Sequence, residues 1–523
     1  MVASILTGSV FGACVKTFFT DYDFHTAGVA VEMPDGTIHR IWLKLEIVVQ
    51  DDSAHKSVNH CSGAAGSKMC MCCLNIWAEK SGDFDDEGGD IVCSACRRVA
   101  ELDLASDQDI FDAVDRVAYL HGEWCHGHMT KQLFDDSQKA NGFKHHPGSM
   151  LLDRSLRRYI RPVHTFMHDW MHVLCVQGVI NKTLYQSLET FRRSDEHRDI
   201  YDALFEYVGL WTAPRCIRAS RDTLSDVFNK TRVTASRKKK TIKTTGSEAL
   251  AILPIVALYA STVVIPSGVC QAAAEALVLL ADILDFCQNV AHKCITPEMM
   301  RSTVERFLDV FAATFGDHLM VSKFHSLLHF VIELDRWEFL LACWVHERTH
   351  QLVLRYAEKV YNTTVFEESV QGECIAHHLA ALSDPRRFVH DTGLEFPYKP
   401  SRYLAEFVVD ALERACGVND VETALTARYS KYGRCSRGDV CLIRADDGGL
   451  EAGTIIANVA ANGVPIAIVQ MWVLDHNDAR GFATWTDTKK ADLIPLESIL
   501  DVMTWRHDGG GVYTTLMGCR FRP

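Results

Sequence analysis

Four cysteines at paired spacing constrain this chain more than any other feature. Cys70 and Cys73 form one CxxC pair, with Cys72 between them, and Cys93 and Cys96 form a second beyond a Gly- and Asp-rich stretch. Each CxxC turn offers two thiolates to one point, and two such turns at this spacing suit a tetrahedral Zn²⁺ site. Thiolates are soft ligands and favour zinc over magnesium. The segment 58–100 therefore reads as an irregular Cys-rich insert closed by a structural zinc on Cys70, Cys73, Cys93 and Cys96. His60 and Cys61 are weaker candidates nearby, and a set of free buried thiols is the plain alternative.

The chain has 19 cysteines in 523 residues. Disulfide scaffolds are short secreted chains with a leader peptide. Residues 1–20 show no basic region ahead of an apolar run, the pattern that a leader needs. Reduced thiols are expected, with the chain nuclear or cytoplasmic rather than secreted. The apolar stretch 249–264 contains Pro254 and is shorter than a membrane span. It is expected to be a buried core helix, with no membrane partner.

Around the insert the pattern changes in kind. Residues 1–57 read as strands: alternation over 27–33 and 37–49 flanks Asp35-Gly36, the dipeptide of a tight hairpin turn. Residues 101–245 are mostly helical, and 246–383 return to long apolar helices such as 271–289 and 299–315. A linker and a helix over 401–428 occupy 384–429. In 430–523, short runs at 438–444, 454–457, 465–473 and 512–517 alternate between Gly, Asn and Asp breaks, which predicts a small β-rich domain. The fold class expected is α+β.

The net charge of -13 excludes a uniformly basic protein that coats nucleic acid, because phosphate binding needs concentrated Lys and Arg. A local basic patch remains: Arg237, Lys238, Lys239, Lys240 and Lys243. It reads as solvated loop charge, a DNA contact or a nuclear import signal.

Three further constellations carry chemistry. Asp51-Asp52 closes an apolar strand-like run, and carboxylates at a strand end can bind Mg²⁺ through oxygen. Asp169 and His172 are three apart and share a helix face, which suits a hydrogen-bonded pair. His346-Glu347-Arg348-Thr349-His350 matches the HExxH pattern of zinc peptidases. The following residues, Gln351-Leu352-Val353-Leu354, supply neither the Gly nor the third His of the extended form.

Taken in order, these segments resemble the CACTA-like and Kyakuja-Dileera-Zisupton-like DNA transposases. Asp51-Asp52-Ser53-Ala54 looks like the family's D-x-P-A segment, with Ser53 in place of Pro. Residues 61–75 (CSGAAGSKMCMCCLN) look like its Gly- and Cys-containing stretch. Asp169–His172 resembles its D-x-x-H motif, and Lys323-Phe324-His325 with His329 its K-x-H…H helix. Glu347, with His350 after it, falls where the family places its third acid.

The resemblance covers roughly residues 17–375 and implies an RNase H-like core interrupted by the zinc insert and a large helical region. It makes Asp51 and Glu347 catalytic acids on two Mg²⁺ or Mn²⁺ ions that cleave and join DNA at transposon ends, in a chain that could form a homo-oligomer. Asp52, Asp169, His172, His325, His329 and His350 follow as motif residues. The family's first acid should precede Asp51, where only Asp21, Asp23 and Asp35 are present and none matches its context. The expectation is a truncated or domesticated transposase with an impaired site. Two rival readings stand beside it: a non-catalytic zinc-stabilised module for nucleic acid or protein partners, and a peptidase built on His346 and His350.

Overall fold

The computed structural model describes residues 2–33, 35–63, 66–78, 89–194, 199–217, 224–359, 365–382, 392–399, 404–417, 421–431, 433–445 and 447–523. They divide into two units, Met1–Val179 with Val290–Cys343, and Ile180–Asn289 with Trp344–Pro523. Both mix helices with strands, so the fold class is α+β.

The first unit opens with helix α1 (Val2–Lys16) and a hairpin of β1 (Val29–Glu32) and β2 (Ile38–Ile41). Val29 pairs with Ile41 and Glu32 with Ile38. Gly36 takes a φ of 80° at the turn, and the Asp35 carboxylate accepts from Thr37 N at 2.9 Å. A second arm was expected to run from 37 to 49, but pairing ends at Ile41. The next strand, β3 (Val48–Gln50), instead lies parallel to Phe166–His168. Parallel pairing needs a long crossover, so its partner could not be a sequence neighbour.

Helix α2 (Asp52–Asn59) follows at once. Asp51 is extended and its side chain accepts from Ala54 N at 2.5 Å, an N-cap. Short parallel strands β4 (Ile76–Trp77) and β5 (Ile91–Val92) organise the Cys-rich segment. Helix α3 (Asp107–Cys125) starts on a Ser106–Asp109 capping box, and α4 (Lys131–Asn141) ends on Gly142 in the left-handed region. Then come β6 (Phe166–His168) and the one-turn helix α5 (Trp170–Leu174), capped by Asp169.

The chain next runs through α6 (Val179–Ser194), α7 (Ile200–Gly209), α8 (Lys230–Lys239), α9 (Gly246–Tyr259) and α10 (Gln271–Asn289) of the second unit. It returns to the first with α11 (Pro297–Phe315) and α12 (Ser322–Trp337). Thr296 caps α11, with Pro297 at the first helical position, where a missing N–H costs nothing. Helix α12 is buried almost all round: Phe324, Leu327, Leu328, Phe330, Val331 and Leu334 are in the core, each contributing about 1.5–3 kcal/mol. Phe324 stacks on Phe307 of α11 at 6.0 Å.

In the second unit, α9 buries Leu253, Ile255 and Val256 and carries Pro254 in its interior. The segment Gly246–Ser267 is long and apolar enough to cross a membrane by length and composition, and half of its most apolar window is buried. Further on lie α13 (Trp344–Ala357), α14 (Phe366–Leu382) and α15 (Glu406–Cys416). The helix expected over 401–428 stops at Cys416, and Val421–Ala424 is a strand paired with Val459 and its neighbours. Gly417, at a φ of 62°, is conformationally suited to end the helix.

The strands of this unit are β7 (Trp211–Thr212), β8 (Gly393–Glu395), β9 (Val421–Ala424), β10 (Thr426–Arg428) and β11 (Arg434–Ser436). They continue with β12 (Val440–Arg444), β13 (Leu450–Ala461), β14 (Val464–Asp478), β15 (Phe482–Pro495), β16 (Ile499–Met503), β17 (Trp505–Gly509) and β18 (Val512–Leu516). The large antiparallel sheet runs β16-β12-β13-β14-β15-β18-β17-β7, with β9 on β13. Its core includes Trp472 and Trp485, both buried among Val440, Leu442 and Met503.

Candidate metal centre and acidic cleft

Helix periodicity places His325 and His329, four residues apart, on one face of α12. Opposite them is the turn Cys70–Cys73. The four side chains are buried, and their ligand atoms all lie within 4.8 Å of one another. Sγ of Cys70 is 3.4 Å from Nε2 of His329. Sγ of Cys73 is 3.6 Å from Nε2 of His325 and 3.4 Å from Nε2 of His329. The two Nε2 atoms are 3.1 Å apart. Tetrahedral zinc, with Zn–S about 2.3 Å and Zn–N about 2.0–2.1 Å, spaces its ligand atoms roughly 3.3–3.8 Å apart. This group could therefore hold a metal ion such as zinc.

The two thiols of the group influence one another. Hydrogen bonds from Cys72 and Cys73 hold the Cys70 thiol well below its ordinary value. The Cys73 thiol is pushed up by its bond to Cys70 and by burial. A bound cation would lower both thiols.

This ligand set corrects the expectation of a site made of four cysteines. Cys93 and Cys96 are buried but stand outside the group that Cys70 and Cys73 make. They follow β5, whose pairing with β4 holds Cys93 N against the Trp77 carbonyl at 2.9 Å. Burial pushes the Cys96 thiol up to about 12, so it is a neutral thiol at pH 7.

The cleft beside the centre is built from two strand ends. In the β3–β6 pair Gln50 is opposite His168, so the next residues, Asp51 and Asp169, emerge side by side from the carboxyl ends of adjacent parallel strands. Asp169 is buried. Its Oδ1 accepts from Met171 N at 3.0 Å and Cys343 N at 3.1 Å, and its Oδ2 bonds His172 Nδ1. Burial would raise the Asp169 carboxyl, but the bond to His172 and those to Cys343 outweigh it and hold it low. His172 Nε2 faces Asp51 Oδ2 at 3.9 Å, so the three groups form a chain.

Lys323, at the start of α12, completes the cleft. Its Nζ donates to the carbonyls of His172 at 2.7 Å and Val176 at 2.8 Å. Burial pulls its pKa down, against the attraction of Asp52, Asp51 and Asp169. Asp51, Asp52, Asp169, His172 and Lys323 line a cavity of ≈ 390 Å³, and the Cys70–Cys73 turn lines it too. Among the described residues lining it, no carboxylate precedes Asp51.

The other sequence candidates lie elsewhere. The backbone of 346–350 is within α13, but the side chains of His346, Glu347 and His350 are outside the described residues. In α8, Arg237 is engaged by Glu189 at 3.1 Å and Asp199 at 3.5 Å. Lys238, Lys239, Lys240 and Lys243 are exposed. Two cleft neighbours were missed from sequence. Lys323 was seen only as a motif letter, and Glu333, which bonds His168 at 2.6 Å, was not singled out. The signal for Glu333 is its i+8 spacing from His325 on the ligand face.

Comparison of the chain with known protein families, with curated proteins and with solved structures finds no match.

Proposed function

We propose that this chain descends from an RNase H-like, acidic-triad DNA transposase, similar to the CACTA-like and Kyakuja-Dileera-Zisupton-like enzymes, and that it no longer turns over. One observation carries the reading: Asp51 and Asp169 stand side by side beyond the carboxyl ends of two adjacent parallel strands, at the wall of a cavity. Two-metal phosphoryl transfer needs carboxylates placed in that way, reaching ions about 3.5–4 Å apart. Asp51 and Glu347 would be the ancestral acids for Mg²⁺ or Mn²⁺. The group of two cysteines and two histidines would hold a structural Zn²⁺, since it closes all four positions with protein ligands.

Loss of turnover has a physical basis in the same cavity. Asp51 caps α2, Asp169 is tied to His172 and two backbone N–H groups, and the Lys323 ammonium faces both acids. A divalent ion would have to displace these partners. The lysines at the end of α8 would be the remnant DNA contact of a nuclear or cytoplasmic protein. A non-catalytic zinc-stabilised interaction module is the second reading, favoured by the same engagement of the cleft acids.

The test pairs two assays on the full chain. Supercoiled plasmid incubated with Mg²⁺ or Mn²⁺ should show no nicking or strand transfer beyond that of Asp51→Ala and Asp169→Ala. Cutting that depends on Asp51 overturns the inactive reading. Metal analysis should find one Zn²⁺ per chain, lost in His325→Ala and His329→Ala and retained in His346→Ala. Zinc lost only with His346 would establish the peptidase instead.

A further inference from the structure

Helix α12 carries His325, His329 and Glu333 at i, i+4 and i+8, which puts all three on one face. The first two are metal-centre ligands. Glu333 is not, yet it is 4% exposed, buried beside the apolar side chains of α12. Its Oε1 accepts from His168 N at 3.0 Å and from His168 Nδ1 at 2.6 Å. Its Oε2 is buried with no hydrogen-bond partner among the described residues. An unsatisfied buried oxygen costs about 1–3 kcal/mol, which is offset here only through the two bonds that Oε1 makes to His168.

His168 is the last residue of β6, and the next residue is Asp169. The His168 ring also lies against the His329 ring, with centroids 4.7 Å apart and planes 17° from parallel. One side of the Asp169 backbone is therefore gripped by Glu333 and His329. The other side, the carbonyls of α5 and its end, is gripped by Lys323 of the same helix. Any shift or rotation of α12 moves both grips together.

We propose that Glu333 is a positioning residue that transmits occupancy of the Cys70–Cys73–His325–His329 centre to the cleft carboxylate Asp169. Within the position that core packing gives α12, metal held by His325 and His329 fixes its fine height and rotation. Glu333 passes that setting through His168 to the backbone of Asp169, and so sets its separation from Asp51. The significance for cation binding rests on the two-carboxylate reading of the cleft, while the coupling itself stands on the Glu333–His168 geometry.

The experiment is hydrogen exchange of the full chain, with Co²⁺ or Zn²⁺ bound and after chelation. In the native sequence, metal removal should speed exchange over 166–174 by about tenfold, a coupling in the range expected between contacting groups. Glu333→Ala should produce the same acceleration with metal still bound, its Co²⁺ absorption bands showing an intact site of two sulfurs and two nitrogens. Chelation should then add less than about twofold, since coupled effects are not additive. Glu333→Gln, which keeps the Oε1 acceptor, should restore protection to within about twofold of native. Full multiplication of the two effects, or native-like exchange in Glu333→Ala, overturns the proposal.

If chelation melts the whole first unit, seen as faster exchange over 107–125 as well, the metal-loaded proteins decide alone. Glu333→Ala must then accelerate 166–174 and leave 107–125 unchanged. Mn²⁺ titration followed by electron paramagnetic resonance separately tests the cleft as a cation site. No binding there, with the exchange coupling intact, sinks the two-carboxylate reading and leaves the role of Glu333 standing.

Discussion

The segment from β3 to α5 with α12, and the sheet from β9 to β18, are held by different physics. In the first, strands β3 and β6 have three residues each, too short to hold a sheet alone. Order there rests on the apolar core around α12 together with polar cross-links: the four side chains that could hold a metal, the Glu333–His168 pair and the Asp169–His172 bond, with Asp51 3.9 Å beyond His172. In the second, β13, β14 and β15 run 12, 15 and 14 residues, and their pairing closes over apolar clusters around Trp472, Trp485 and Val469. A region whose packing is supplemented by a few specific bonds can be loosened by one reagent or one substitution. A region organised by area fails only in proportion to the area removed.

The sharpest way to break this contrast is to remove the metal ligands. Cys70→Ser with Cys73→Ser should abolish zinc binding, whose free energy in small structural sites is on the order of 10 kcal/mol and is tied to folding. Hydrogen exchange should accelerate over 48–78, 166–174 and 322–337 while protection in β13–β15 persists. Equal loss of protection in both regions would erase the distinction.

The reciprocal change comes next in size. Trp485 is fully buried, and its indole N–H donates to Thr515 Oγ1 at 2.8 Å. Trp485→Ala should cost about 3–5 kcal/mol, measured as a lower denaturation midpoint for the sheet. Zinc content, measured in the same samples, should stay at one per chain.

Acid distinguishes the regions less strongly. Burial, with His168 nearby, pushes the His55 imidazole down to about 4, and burial with the facing His146 ring lowers His60 to about 4 as well. Both are neutral in the folded chain and take up protons near their ordinary value of 6.5 when unfolded. The unfolded chain therefore binds more protons between these values, and stability falls as pH drops from 6.5 to about 4. For His55 the loss should be on the order of 2–3 kcal/mol. His55→Gln should flatten the pH dependence of exchange in the α2 region, and an unchanged slope would remove His55 from the account.

The smallest expected effect concerns Lys323. Lys323→Met removes the ammonium that faces Asp51, Asp52 and Asp169 and keeps most of the side-chain volume. Uncompensated carboxylates attract cations, so Mn²⁺ affinity at the cleft should rise about tenfold, roughly 1.4 kcal/mol. Weaker Mn²⁺ binding would show that Lys323 supports the acids as ion ligands instead of occupying their place.

Several of these features are legible from local sequence because local geometry creates them. The Asp35-Gly36 turn needs only a residue tolerant of positive φ. Asp51 can be placed at a strand end and helix start because an N-cap acts over three residues. Asp169 and His172 meet because an N-cap residue faces the third residue of its own helix. The CxxC turn of Cys70 and Cys73 likewise presents both thiols without help from the rest of the chain. The alternation in the C-terminal region anticipates its strands, but Val421–Arg428, expected as helix, is strand because cross-strand pairing, of Val421–Ala424 with β13 and of Thr426–Arg428 with β8 and β11, decides its state over propensity.

The chain alone therefore points to half of the candidate metal centre and singles out Asp51 and Asp169, without showing that these two acids meet. Only the tertiary structure decides the rest. The imidazoles that complete the centre lie 252 and 256 residues from Cys73, and a second CxxC pair of suitable spacing competes with them on paper. Ligand spacing records which atoms a turn can present, but it contains no term for the packing of α12. That helix is placed by Phe324, Leu327, Leu328 and Phe330 burying themselves in the core, and the position they enforce brings His325, His329, Glu333 and Lys323 to one wall. Hydrophobic burial is non-directional and long-range in sequence, so it selected the ligands that local rules left open.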